Sequence, residues 1–262
     1  MKSVKYITAI LFFAITTLLL AACGGGGNDD ARVATAEVGS VKDARFGGEG
    51  WSLDGTHMVT TREKLLAREN FSLSGTVKTS IKITDTLLSN FDIFFIGYLD
   101  DFSANAFTPA ELDAFSAWVT GGGILIVTCD DSNHKAVCEK FGYPPTDDAI
   151  SPPTIPAEAD VLHPIFDGPF GSVAEIGMSP NYGYFMQTDK ATILGVDKNP
   201  QPSHATILEK QVGTGRVIFL SDVDMITDYP EGREKSLSTG TGIITDNDRF
   251  LGNLFAYVTG LI

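Results

Sequence analysis

Acidic residues come in pairs at three places where an apolar run ends. Asp100 and Asp101 follow Phe91–Gly97, Asp130 and Asp131 follow Ile124–Thr128, and Asp222 and Asp224 follow Arg216–Leu220. Carboxylates that converge repel one another unless a cation compensates, and oxygen donors suit a hard ion such as Ca²⁺ or Mg²⁺. No spacing matches an EF-hand loop, and the plainer reading is that these aspartates cap the helices that follow the strands. Cys129 stands directly before Asp130, and neighbouring negative charge raises a thiol pKa and suppresses the thiolate. Cys129 ends an apolar run and Cys138 falls in the helix expected next. In an exported chain the two suit a disulfide, with a pair of unreactive buried thiols as the alternative. His163 precedes Pro164 in a loop, where it shapes a ligand cleft or is a satisfied structural histidine. His57, His134 and His204 share no metal-ligand spacing. Trp51, Tyr98, Tyr182, Tyr184 and Phe185 fall in loops, where an aromatic ring suits stacking on a sugar or packing in a core.

These residues need elements to position them. Thr108-Pro109-Ala110-Glu111 reads as a capping box with proline at the first helical position. Leu112, Phe115, Trp118 and Val119 then recur at helical spacing, and Gly121-Gly122-Gly123 stops the helix. The flanking runs, Phe91–Gly97 and Ile124–Thr128, are apolar on both faces, as in a parallel sheet covered by helices. Upstream, the pattern predicts a strand over Val41–Phe46, a helix over Thr56–Glu69 with Met58, Leu65 and Leu66 inward, a strand over Phe71–Val77 and a short helix at Thr84–Leu88. Downstream, it predicts a helix over Asn133–Phe141, strands at Ala191–Val196 and Ala205–Gln211, and a turn at Gly213-Thr214-Gly215 into Arg216–Leu220. A last helix, capped by Asp246 or Asn247, runs to Val258. The fold class is α/β: a flavodoxin-like, doubly wound, mostly parallel sheet with helices on both faces and a C-terminal β-hairpin plus helix. Ligands in such sheets sit at the carboxyl ends of the strands, where the aspartates are.

Residues 1–22 read as a lipoprotein signal peptide: Lys2 and Lys5, an apolar stretch too short to span a membrane comfortably, then Leu20-Ala21-Ala22-Cys23. This closing tetrapeptide resembles the bacterial lipobox, which implies lipidation of Cys23 (a palmitate-type anchor). Gly24 after it is not the aspartate of an inner-membrane retention signal. The expectation is therefore a cell-envelope lipoprotein of the outer membrane, facing the periplasm or the surface. Residues 23–40 are the lipidated cysteine and a glycine-rich tether, and 41–262 a single domain. Beyond the signal the chain has 17 basic against 33 acidic residues, a formal charge of −16. So acidic a surface repels phosphates, which argues against nucleic acid as a partner.

The order of five phrases carries a family resemblance: Phe91–Ile96, the helix from Pro109, Gly121–Val127, His163-Pro164-Ile165-Phe166-Asp167-Gly168, and Gly213–Asp222. Together they resemble the class I glutamine amidotransferase-like superfamily, in its trehalose-utilisation-type and gliding-motility and intraflagellar-transport-related branches. The resemblance implies that Cys129 occupies the position of the superfamily's nucleophile. Asp130 and Asp131 stand where that tight turn carries small residues, and Ser221-Asp222-Val223-Asp224 replaces the expected histidine. The implied function is a catalytically degenerate domain, with Asp100, Asp101, Asp130, Asp131, His163, Asp222 and Asp224 as cleft candidates and no obligate cofactor. Its expected ligand is a carbohydrate, or its partner an envelope protein. The competing expectation is a hydrolase using Cys129 or a metal held by Asp100, Asp130 and Asp222.

Overall fold

Strand β3 (Ile93–Ile96), helix α3 (Pro109–Thr120) and strand β4 (Ile124–Thr128) form the spine of the fold. The computed structural model describes residues 35–42, 49–68, 71–73, 82–99, 107–130, 135–146, 153–157, 163–178, 183–199, 204–227 and 237–260. The α3 capping box is closed: Thr108 Oγ1 accepts the Glu111 N–H at 3.3 Å, and the Glu111 carboxylate accepts the Thr108 N–H at 2.9 Å. Gly122 ends the helix at φ +119°, a conformation that side chains other than glycine's rarely adopt. Ile93, Phe94, Phe95 and Ile96 are all at most 1% exposed, so β3 is covered on both faces.

The other strands are β1 (Ala36–Ser40), β2 (Phe71–Ser72), β5 (Thr154–Pro156), β8 (Thr192–Asp197), β9 (Ala205–Val212) and β10 (Gly215–Leu220). They form one sheet in the order β2-β1-β3-β4-β10-β9-β8-β5, with a separate small pair, β6 (Asp167–Gly168) and β7 (Gly171–Ser172). The first five strands of the sheet are parallel, and β9, β8 and β5 each pair antiparallel with their neighbour. In the β9–β10 hairpin Gly213 opens a two-residue loop at φ +61°, where a Cβ would lie 2.4 Å from the Thr120 carbonyl.

Helices cover both faces, as a doubly wound α/β fold requires. On one, Phe95, Ile126 and Ile218 pack under Leu65 of α1 (Val59–Leu66) and under Phe250, Leu254 and Phe255 of α5 (Asp246–Val258). On the other, Phe94, Leu125 and Phe219 pack under Phe115 and Val119 of α3 and under Val137 of α4 (Lys135–Lys140). Each such side chain contributes about 1.5–3 kcal/mol of burial. A short helix α2 (Asp85–Leu88), capped by Thr84, leads into β3.

Three details depart from the sequence pattern, and a fourth lies partly outside the described residues. The first strand is Ala36–Ser40, inside the stretch expected to be tether, and most of the expected strand Val41–Phe46 lies outside the described residues. Its polar residues are accommodated because β2 and β3 flank it on both sides. Met58, the N-cap of α1, and Leu65 within it face inward, but Leu66 is 53% exposed, because the helix phase turns it to solvent. Of the expected strand Phe71–Val77, Phe71–Ser72 form β2, and residues 74–77 lie outside the described residues. The cap of α5 is Thr245, which closes a second capping box with Asp248 in place of the expected Asp246 or Asn247.

A buried ion pair joins α1 to α5. Lys64 Nζ lies 3.0 Å from Asp248 Oδ1, with both side chains at most 2% exposed. Lys64 also donates to Ser238 Oγ at 3.1 Å and to the Gly242 carbonyl. Asp248 accepts the N–H groups of Ser238, Ile244 and Thr245. Burial pushes the Asp248 carboxyl up, but the bonds from Ser238, Thr245, Ile244 and Lys64 outweigh it and hold its pKa below the ordinary value. Because the folded pKa is depressed, this stabilisation is present above the unfolded value near 3.8 and is lost as pH falls through the folded one. Removing one partner strands a buried charge, so Lys64→Met is expected to cost about 3–5 kcal/mol in urea unfolding. In Asp248→Asn the fall in stability below about pH 4 is expected to be shallower than in the parent chain.

Candidate functional site

The carboxyl ends of β4 and β10 lie side by side, and Cys129 N–H donates to the Leu220 carbonyl at 2.7 Å. Cys129 is buried, and its sulfur forms a disulfide with Cys138 of α4, the Cα atoms 6.3 Å apart. A sulfur in this state has no thiolate to offer as a nucleophile. The carboxylates beside it serve the backbone. Asp130 Oδ2 accepts the Val223 N–H at 3.1 Å, and Asp222 Oδ1 accepts the Asp224 N–H at 2.7 Å. Asp222 thereby caps the 3-10 turn Val223–Ile226, and Thr227 Oγ1 donates to Asp224 Oδ1 at 3.5 Å. Asp130 and Asp222 are at most 9% exposed, so helix-turn capping is the structural role the geometry gives them. Among the described residues no three histidine, cysteine or acidic side chains converge as a metal site. Asp100, Asp101 and Asp131 lie outside the described residues.

His163 is placed elsewhere. Its ring packs edge-on against Tyr257 at 4.7 Å, and its Nδ1 accepts the Ile165 N–H at 3.4 Å. The first turn of α5 reaches the strand ends, where Asn247 Nδ2 donates to the Met225 carbonyl. Tyr257 stands ten residues further along that helix, about 15 Å away at 1.5 Å per residue. Among the described residues, His163 therefore lies apart from the strand-end carboxylates Asp130, Asp222 and Asp224. It is a packing residue, as the Phe166 and Asp167 N–H bonds to its carbonyl also indicate.

The loop aromatics divide. Trp51 ends the 3-10 turn Glu49–Trp51 that follows β1, and Tyr98 follows β3. Their ring centroids are 5.6 Å apart, and His57 lies 4.6 Å from Trp51, all three half-buried. Two glycines make this corner possible. A Cβ on Gly97 would meet the Trp51 carbonyl at 2.4 Å, and one on Gly50 would meet the His57 ring at 2.6 Å. Phe185 instead belongs to the core, and Tyr182 lies outside the described residues. Tyr184 stacks on His204 at 3.9 Å. His204 Nδ1 sits 3.1 Å from Asp197 Oδ2. Asp197 Oδ1 and Ser221 Oγ are buried with no hydrogen-bond partner among the described residues. The spacing rules missed Asp197 and His204, which lie on either side of the β8–β9 connection, and they missed His57.

The architecture has solved counterparts. The mmIFT52 N-terminal domain superposes with a TM-score of 0.60 at 12% identity, covering 86% of this chain and 97% of that one. A ThuA-like protein from Bacteroides uniformis superposes with a TM-score of 0.51 at 15% identity, covering 90% of this chain and 95% of that one. A β-galactosidase from Rahnella sp. R3 matches over 32% of its length and 87% of this chain, with a TM-score of 0.52 at 13% identity. No family model and no curated protein matches the sequence. The fold shared with these structures is the mostly parallel α/β sheet of the ThuA-like protein. At these identities it is the fold that is shared.

The disulfide makes two checkable statements. Alkylation without reduction is expected to leave the peptides holding Cys129 and Cys138 unlabelled, read by mass. Replacing both cysteines by alanine is expected to lower stability by about 2–3 kcal/mol in the chain-entropy picture of a short closed loop.

Proposed function

We propose that this chain is a recognition module on an amidotransferase-like fold, held at the cell envelope by a lipid on Cys23, with a carbohydrate as its ligand. The observation that carries this reading is the contrast at one edge of the sheet. The nucleophile position, Cys129, is closed in a disulfide and its flanking carboxylates cap a turn. Beside them the half-buried rings of Trp51, His57 and Tyr98 form an aromatic corner. Such a corner gives a sugar ring an apolar face to stack on, with His57 and Tyr98 supplying polar tips. A portion of a β-galactosidase shares the fold, which favours a saccharide over other neutral ligands. The acidic surface disfavours polyanions.

The full chain, exported and purified, is to be screened on a glycan array and the hits titrated by calorimetry. Trp51→Ala is expected to weaken the best hit by roughly tenfold, the equivalent of about 1.4 kcal/mol. An array without hits, or a hit indifferent to Trp51, sinks the carbohydrate reading. The anchor is tested separately. Cells fed labelled palmitate are expected to label the parent chain and not Cys23→Ser, and the variant is expected to leave the membrane fraction.

A further inference from the structure

The opposite edge of the sheet, where β1, β3 and β4 begin, holds a cleft of about 590 Å³. That volume lies in the range of small-molecule sites, about 300–1,000 Å³. Two long helices end on it, α3 at Gly121 and α5 at Thr259. Each helix C-terminus presents roughly half an elementary negative charge. Among the described residues lining the cleft Asp92 is the one ionisable group, with no lysine, arginine or histidine beside it. Asp92 Oδ2 accepts the Glu37 N–H at 2.9 Å, and its other oxygen has no partner among the described residues. Arg216, at the start of neighbouring β10, is committed elsewhere: it lies 3.2 Å from Glu209 and over the Tyr257 ring at 5.0 Å.

The cleft is also aromatic. Trp118 lines it, with its ring over Gly123, where a Cβ would lie 2.3 Å from the indole. Phe91 lines it as well and meets Phe94 at 5.6 Å. An indole attracts a cation through its quadrupole, and the attraction grows as the pair is desolvated.

We propose that this cleft binds a small free organic cation, an ammonium or guanidinium group on an apolar stem. Asp92 is its counter-ion, the ends of α3 and α5 add to the negative field, and Trp118 is the aromatic wall. The site is separate from the Trp51 corner and does not depend on the carbohydrate reading.

The test is an NMR titration of the isotope-labelled full chain with phenethylammonium, putrescine and arginine amide, and with phenethyl alcohol as the neutral counterpart. Saturable shifts of the Gly121, Gly122 and Gly123 amides and of the Trp118 indole N–H are expected with at least one cation. The alcohol is expected to cause none. Asp92→Asn keeps an acceptor for the Glu37 N–H and is expected to weaken binding about tenfold. Ser89→Lys, at an exposed position lining the cleft, is expected to block binding with an unchanged melting temperature. The proposal is overturned if all three cations fail to shift these resonances at millimolar concentration. It is equally overturned if the alcohol binds as well as the cations, or if both variants bind like the parent.

Discussion

Everything in this molecule follows from a sheet whose central strands have no polar face. Ile93–Ile96 alternate between two cores, as do Leu125 to Val127 and Val217 to Leu220. A strand with two apolar faces has to be covered twice, and parallel neighbours with helical crossovers do that. The cover then fixes where chemistry can occur. Side chains in the middle of the sheet are spent on packing, so polar groups collect where strands stop. One edge receives the aspartates, the disulfide and the aromatic corner, and the other receives helix C-termini and Asp92.

The parts of the fold written in local pattern were readable. Thr108 to Gly123 carries its own start, face and stop, and each is realised as spaced. The Gly213–Gly215 turn announced its hairpin in the same way. Strand β1 was not readable, because Ala-Glu-Val-Gly-Ser owes its burial to flanking strands and not to its own hydrophobicity. The site divides along the same line. That the aspartates stand at strand ends is a local fact, and so is the position of Cys129. What their oxygens touch depends on the turn Val223–Ile226, which no nearby pattern specifies. The Asp197–His204 contact and the Lys64–Asp248 pair join residues brought together by topology alone.

His163 shows that a shared phrase can place a loop without naming its neighbours. The His-Pro motif fixed its loop in the sequence but not its neighbours. Tyr257 holds the ring, and Tyr257 in turn donates to Glu209 beneath Arg216. Burial raises the Tyr257 phenol first, and the adjacent Glu209 carboxylate raises it further, so this cluster holds its proton and acts as packing.

The join between β4 and β10 has a consequence for how the chain assembles. Its partners, Ile124–Thr128 and Arg216–Leu220, are far apart in sequence, whereas β3-α3-β4 and the β9–β10 hairpin are each local. Local units form quickly, and closing a long loop between them is slow. Without the hairpin, β4 would be an apolar edge with nothing on one side, the kind of surface that neighbouring unfolded chains pair with. The turn touches the end of α3, where the Thr214 N–H meets the Thr120 carbonyl at 3.1 Å, a contact compatible with the one β4–β10 register the structure has. A two-residue turn thereby ties the antiparallel half of the sheet to the helix that leads into the parallel half.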